Sequence, residues 1–257
     1  MAGVRVATAG GGMSVYEAHL AAAEHAAWPL ETSVRWGDID VAVAKGEEQI
    51  LSALHDAALI EGYLPVFAPR LMQLLWDDVD ATAVLSLELY EGLRHYTALK
   101  RYLQAVDYAP SVVSDRGTAA ARGRALAGPR QADDAIAQLT NFTCSELFAA
   151  YFFLRLSRET REPVLAELLD RIARDEFRHA SAGADLLARR VREDPAVADE
   201  ILRAAHSFRH YGADVVDVPV AADNDFEAIA AMNRLIRRAC GVSPAQHIQG
   251  ALDAQHI

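Results

Sequence analysis

Apolar residues recur at intervals of three and four along six segments of the chain, and polar residues occupy the positions between them. This spacing places the apolar side chains on one face of a helix, so it predicts six helices. The predicted helices cover 45–77, 80–106, 133–156, 163–191, 197–211 and 225–239. Four of them are more than twice as long as the average globular helix of about eleven residues, which favours a helical bundle.

Helix-breaking residues separate these segments. Gly and Pro cluster in 107–130, which is predicted to be a polar connection, and Pro65 predicts a kink inside the first helix. The segment 215–220 is the one stretch with an extended pattern. We predict a partly disordered N-terminal tail at 1–30, one helical domain at 31–242 and a C-terminal tail at 243–257.

Composition and charge exclude several classes of function. The formal net charge of −11 argues against nucleic acid as a main partner, because phosphate binding needs a basic surface. Two cysteines cannot form a disulfide framework. The first thirty residues lack the charged-then-apolar pattern of a signal peptide, and we find no apolar stretch of the length of a membrane span. We therefore expect a cytoplasmic protein with no membrane span.

The strongest local motif places an acid and a histidine on the core face of the fourth predicted helix. Glu176 and His179 are three residues apart and share a helical stripe with Leu165, Leu169 and Ile172. A buried carboxylate is costly unless it is paired or bound to a metal. A surface Glu–His pair is the alternative interpretation of this motif taken alone.

The other three long helices carry acids inside their apolar faces as well. The acids and histidine concerned are Glu61 on the first helix, Glu88, Glu91 and His95 on the second, and Glu146 on the third. Four carboxylates and two neutral histidines carry four negative charges, which balance two divalent metal ions. Imidazole and carboxylate ligands suit iron or manganese. Single Glu residues on two helices with Glu/His pairs on the other two are typical of a carboxylate-bridged dimetal bundle.

Four segments of the chain resemble the soluble acyl-[acyl-carrier-protein] desaturases, and the resemblance runs from Trp36 to the sixth predicted helix. The segments are 61–65 (EGYLP), 94–103 (RHYTALKRYL), 142–146 (FTCSE) and 172–179 (IARDEFRH). The resemblance implies an all-α, ferritin-like four-helix bundle with additional flanking helices. It also implies that Glu61, His95, Glu146, Glu176 and His179 are iron ligands.

The chain departs from the family pattern at two positions. The family has a ligand Glu three residues before the second-helix His, and here that position is Gly92. Glu91, displaced by one residue, is the predicted ligand, and Glu88 is the alternative. The family also has a Thr three residues after the third-helix ligand, where this chain has Ala149.

Three further residues are predicted to support the chemistry. Asp175 is expected to orient His95 by accepting its free ring N–H, as outer carboxylates do in metal sites. Trp36 resembles a Trp on the family's proposed electron route through that Asp and His, with ordinary core packing as the alternative. Thr143 is the polar neighbour of Glu146 on the third helix.

The resemblance implies a homodimeric desaturase that introduces a C=C bond into an acyl chain. Its cofactors would be two Fe ions, with Mn as the alternative, and O₂ would be the co-substrate. Its partners would be acyl carrier protein, or a free acyl substrate, and a ferredoxin-like electron donor. Two alternatives remain open: a di-iron hydroxylase or N-oxygenase of a small or carrier-bound metabolite, and a non-redox ferritin-like metal-binding protein. Candidate basic docking residues are Arg70, Lys100 and Arg101, or Arg189, Arg190 and Arg192.

Overall fold

A computed structural model describes residues 13–108, 114–127, 134–216 and 226–247. These residues form helices and turns, and no strand occurs among them. The α-helices are α1 (Val15–Ala26), α2 (Leu30–Ser33), α3 (Val41–Lys45), α4 (Glu48–Glu61), α5 (Leu64–Leu74), α6 (Val79–Ala105), α7 (Asp115–Ala127), α8 (Ala135–Glu159), α9 (Pro163–Glu193), α10 (Val197–His206) and α11 (Phe226–Cys240). The predicted all-α fold class is confirmed.

Four long helical segments form the central bundle. The segments are α4 with α5, α6, α8 and α9. Helix α8 packs along α9, and α6 packs against α9 as well. Helix α4 packs against α6, and α5 packs against both α6 and α8. Helix α1 covers the α6 and α9 side of the bundle, while α10 and α11 cover the α8 and α9 side. The core is filled by large buried side chains from the bundle helices, among them Leu54, Leu85, Tyr102, Phe142 and Leu168.

Side-chain caps fix where the bundle helices begin. Asp78 accepts a hydrogen bond from the backbone N–H of Ala81 at the start of α6. Asp134 accepts two backbone N–H groups at the start of α8. Glu162 accepts two backbone N–H groups at the start of α9 and also accepts a 3.0 Å hydrogen bond from the hydroxyl of Tyr102. Each acid satisfies N–H groups that have no partner inside their own helix.

The first predicted helix is divided in the structure. Helix α4 ends at Glu61 and α5 begins at Leu64, with Pro65 in its first turn. Proline removes a backbone donor and clashes with the preceding turn, so the predicted kink becomes a complete break. The carbonyl of Gly62, inside the break, accepts a 2.6 Å hydrogen bond from Nε of Arg122.

Two helices lie where the sequence predicts irregular chain. Helix α7 occupies most of the connection predicted at 107–130, and α1 lies within the tail predicted at 1–30. Asp80 accepts the backbone N–H groups of Val15 and Tyr16, which anchors the start of α1 to α6. Residues 217–220 of the predicted extended segment, the first twelve residues and most of the predicted C-terminal tail lie outside the described residues.

The stretch Glu48–Leu74, which spans α4 and α5, is long and apolar enough to cross a membrane by length and composition. The expectation that no apolar stretch reaches the length of a membrane span is therefore wrong. In the structure 61% of its most apolar window is buried inside the protein, and the core helix of a bundle meets the same criteria.

Candidate metal centre

Four helices bring five of the six predicted metal ligands into one buried cluster. Glu61 is the last residue of α4, His95 lies on α6, Glu146 on α8, and Glu176 and His179 on α9. Their exposed fractions range from 0% to 5%, so each ionisable group has left water. The acids converge because each occupies a core-facing position of its own helix.

Glu176 lies at the centre of two overlapping ligand groups. Glu61, His95 and Glu176 form one group, and Glu146, Glu176 and His179 form the other; within each group the ligand atoms lie within 4.8 Å of one another. One carboxylate oxygen of Glu176 is 2.7 Å from Nδ1 of His95, and the other is 3.0 Å from Nδ1 of His179. The cluster can therefore hold two metal ions with Glu176 between them.

Unsatisfied polar atoms show that these residues fit a metal pair. Nδ1 of His95 and Oε1 of Glu176 are buried and 2.7 Å apart, yet their directions do not form a hydrogen bond and neither has another partner among the described residues. Buried polar atoms are nearly always hydrogen-bonded. Two close but unaligned ligand atoms are the arrangement expected where both point at a shared ion.

Electrostatics support the same conclusion. Burial and the charge of Glu176 together raise the pKa of Glu61 to about 8, and the same causes raise the pKa of Glu146 well above its ordinary value. Burial opposes ionisation of Glu176 as well, but the charges of His95 and His179 outweigh it and hold its pKa well below the usual range. The protein by itself thus disfavours three ionised carboxylates here, and bound cations would reverse that.

An outer carboxylate holds each histidine. Asp175 lies 3.1 Å from Nε2 of His95, as predicted, which leaves Nδ1 to face the metal position. The indole N–H that donates to Asp175 belongs to Trp28, at 2.7 Å, and the Trp28 ring stacks on His95. Trp36 donates instead to the carbonyl of Leu30. Trp36 was predicted on an electron route through Asp175 and His95, but the indole that donates to Asp175 is that of Trp28, because the segment after α1 carries Trp28 into the core.

The structure places Glu91 outside both ligand groups around Glu176. Its two oxygens accept hydrogen bonds from Arg178 at 2.8 and 3.0 Å, and one of them lies 2.9 Å from Nε2 of His179. Glu91 therefore stands behind His179 as Asp175 stands behind His95. Neighbouring helix positions differ by about 100° in direction, so a shift of one residue along α6 changes a predicted ligand into an outer partner.

One turn before His95 on α6, the residue that faces the metal centre is Gly92. A Cβ atom there would lie 3.1 Å from an oxygen of Glu61 and 2.7 Å from Cδ2 of Leu64. Leu64 thus fills the space that a second-helix ligand side chain would need. Glu88, the alternative ligand, is buried one turn away and faces His19 across 3.9 Å.

Thr143, predicted as catalytic, lies in the contact between α8 and α9. It is fully buried, and its hydroxyl donates to the carbonyl of Leu139 one turn earlier. A Cβ atom on Gly183 would lie only 2.3 Å from the Thr143 hydroxyl oxygen, so the two helices meet closely here. The observed contacts of Thr143 are those of a packing residue.

An apolar cavity of about 220 Å³ reaches the metal centre. Its walls come from α4, α8 and the turn at Tyr211, and they include Glu61, Phe152, Phe153 and Ala149. The Tyr211 hydroxyl lies 3.5 Å from Glu146, so this residue contacts both the cavity and a ligand group. Tyr211, Trp28 and His19 were not predicted from the sequence. Tyr211 is the last residue of the predicted helix 197–211, which ends at His206 in the structure. Trp28 and His19 precede the periodic segments, and no local pattern marks any of the three.

One solved structure gives a comparison for the whole fold. The chain is similar to an R2-like ligand-binding oxidase from Sulfolobus acidocaldarius, with a TM-score of 0.63 over 91% of this chain and 94% of that chain, and the two are 14% identical. No family model and no curated protein matches the sequence. A likeness at this identity shows the fold alone, and the chain accordingly has the ferritin-like helical-bundle fold of that oxidase.

Proposed function

We propose that the protein is a di-iron, O₂-dependent oxidase that acts on an apolar molecule bound in the cavity beside the metal centre. The observation that carries the proposal is that Glu61 belongs to a ligand group and also lines the cavity. A molecule in the cavity would therefore lie next to a metal position. A storage protein has no need of such a cavity, and the structural neighbour is itself named an oxidase.

When bound, the iron pair supplies the capacity to activate dioxygen, and manganese is the alternative occupant. Glu61, His95, Glu146, Glu176 and His179 would hold the ions, and Glu176 belongs to both ligand groups. Asp175 and Glu91 keep the histidine rings oriented through their Nε2 atoms. The aromatic walls of the cavity exclude water, and Tyr211 can donate its hydroxyl proton to Glu146.

The cavity favours a small substrate. Its volume of about 220 Å³ lies below the range of roughly 300–1,000 Å³ for drug-sized ligands. Gln49, Ser52 and Asp56 add polar groups along α4, while Phe152 and Phe153 form an apolar wall. This favours hydroxylation or N-oxygenation of a small metabolite. Desaturation of an acyl chain on acyl carrier protein is the second candidate, supported by the sequence resemblance. It would require the acyl chain to enter this cavity.

An electron donor would reach the metal centre through Trp28 and not through Trp36. Trp28 contacts Asp175, which contacts His95, so the three residues form a continuous path. The guanidinium of Arg94 lies 4.8 Å over the Trp28 ring and is less buried than the tryptophan. We propose that a ferredoxin-like donor docks near this end.

Four of the six basic residues considered for carrier-protein docking pair with acids of the chain itself. Lys100 and Arg101 form ion pairs with Asp115 and Glu31. Arg189 and Arg190 both contact Asp78. These contacts reduce the charge available to an acidic carrier and support a free small substrate. The homodimer and the cytoplasmic location remain predictions.

Aerobic incubation of the reduced, iron-loaded protein with acyl carriers and small apolar metabolites tests the proposed function. Mass analysis of the products separates a loss of about two mass units, for desaturation, from a gain of about sixteen, for oxygen insertion. Ala149→Leu narrows the cavity and should lower turnover while metal content is retained. Ala166→Leu, on the partly exposed face of α9, is the matched control.

Glu176→Ala removes the shared ligand and should release at least one metal ion and abolish turnover. Full activity with two ions retained would overturn the ligand assignment. No product from any substrate, together with full metal binding, would favour the non-redox metal-binding alternative.

A further inference from the structure

A second polar cluster lies beside the metal centre, between α1 and α6. His19 and Glu88 are 4% and 1% exposed. Nε2 of His19 and Oε1 of Glu88 face each other at 3.9 Å, and neither atom has a hydrogen-bond partner among the described residues. The pair is therefore an exception to the rule that buried polar groups are satisfied.

Burial raises the pKa of Glu88 to about 8, and the charges of His179 and Arg178 offset this effect only in part. Arg178 bonds Glu91 and Asp175, which balances those two acids in part. In the described part of the chain, the one ion-pair partner of Glu88 is His19.

The spacing of these atoms suits a metal ion. Two ligand bonds of about 2.1 Å span at most about 4.2 Å, and a tetrahedral angle brings the ligand atoms to about 3.4 Å. The observed 3.9 Å lies between these values, so the side chains would close by about 0.5 Å. Glu91 lies beside this pair, since one ligand atom each of His19, Glu91 and His179 lie within 4.8 Å of one another, and both of its oxygens also accept hydrogen bonds from Arg178.

We propose that His19 and Glu88, with Glu91 beside them, bind a third divalent metal ion next to the metal pair. One imidazole and two carboxylates suit Mn²⁺, Fe²⁺ or Zn²⁺. The added double charge would favour the ionised form of the buried Glu88 carboxylate. The ion also ties α1 to the bundle, because His19 is on α1 and both acids are on α6.

Metal content after dialysis of the full chain against Mn²⁺ alone tests the proposal. Wild type should bind three Mn²⁺ per chain, and His19→Gln and Glu88→Gln should each bind two. His25→Gln, an exposed histidine on the same helix, is the matched control and should bind three. Anomalous diffraction should locate the third ion between His19 and Glu88, and circular dichroism checks that each variant folds.

Glu176→Ala separates this proposal from the proposed function. It should disrupt the metal pair and still leave one Mn²⁺ at His19 and Glu88. If anomalous density is missing between these two residues in wild type, or if both glutamine variants keep the wild-type metal content, a water molecule or a proton occupies the gap and the third site does not exist.

Discussion

Gly183 offers a direct test of how closely α8 and α9 must pack to hold the metal centre. It lies four residues after His179, and its contact Thr143 lies three residues before Glu146. In Gly183→Ala the new Cβ would meet the Thr143 hydroxyl oxygen at 2.3 Å and its Cβ and Cγ2 at 3.0 Å. These distances fall short of the roughly 3.5 Å of ordinary contact by about 0.5–1.2 Å.

Two opposing effects set the expected stability. Overpacking of a core costs about 1–3 kcal/mol, while replacing a helical glycine with alanine returns about 1 kcal/mol. The clash at Gly183 involves three atoms of Thr143, so rotation of the hydroxyl alone cannot relieve it. We expect a net loss of about 1–2 kcal/mol in the free energy of unfolding, which lowers Tm by roughly 2–8 °C. Displacement of Glu146 and His179 should also weaken metal binding.

Thermal unfolding by circular dichroism, with and without Mn²⁺, measures both effects. Gly123→Ala on α7 is the matched control, because a Cβ there meets nothing within 4 Å and should raise stability. The double variant Gly183→Ala, Thr143→Ala should be more stable than the sum of the single changes predicts. If Gly183→Ala stabilises the protein as the control does, and metal affinity is unchanged, then close contact of α8 and α9 at Gly183 is not needed to hold the metal centre.

Three other outcomes follow from the contacts. Trp28→Phe removes the indole donor and should slow reduction of the metal pair in stopped-flow experiments without loss of metal, whereas Trp36→Phe should not; equal rates for both variants would count against the electron path. Glu91→Gln weakens the outer support of a ligand histidine and should lower metal affinity by about 10–100-fold in equilibrium dialysis; an unchanged affinity would contradict that role. Burial opposes ionisation of Asp78, but hydrogen bonds and charge from Arg189 lower its pKa below the ordinary value, so its stabilising effect is full above about pH 4 and is lost as pH falls through the folded-state pKa. The Tm difference between wild type and Asp78→Asn should thus be large at pH 7 and shrink toward pH 2, and a constant difference would rule this out.

The bundle helices and the convergence of their acids were predictable from the sequence. The predicted second helix, 80–106, differs from α6 by one residue at each end, and the fourth, 163–191, ends two residues before α9 does. Helical periodicity is a local property, so a carboxylate within an apolar stripe must face the core wherever the helix packs. For that reason Glu61, Glu146 and Glu176 could be placed together before any coordinates were known.

Tertiary structure decided which residues stand next to those acids. Trp28 and Asp175 are 147 positions apart, and no sequence spacing predicts that α1 and the segment after it pack over α6 and α9. The sequence predicted that Glu91 faces the metal centre, but Gly92 faces it in the structure. This difference depends on the rotation of α6, since one residue turns the helix by about 100°. Periodicity determines which face of a helix is buried, but only the packing of neighbouring helices determines which residue of that face meets a given partner.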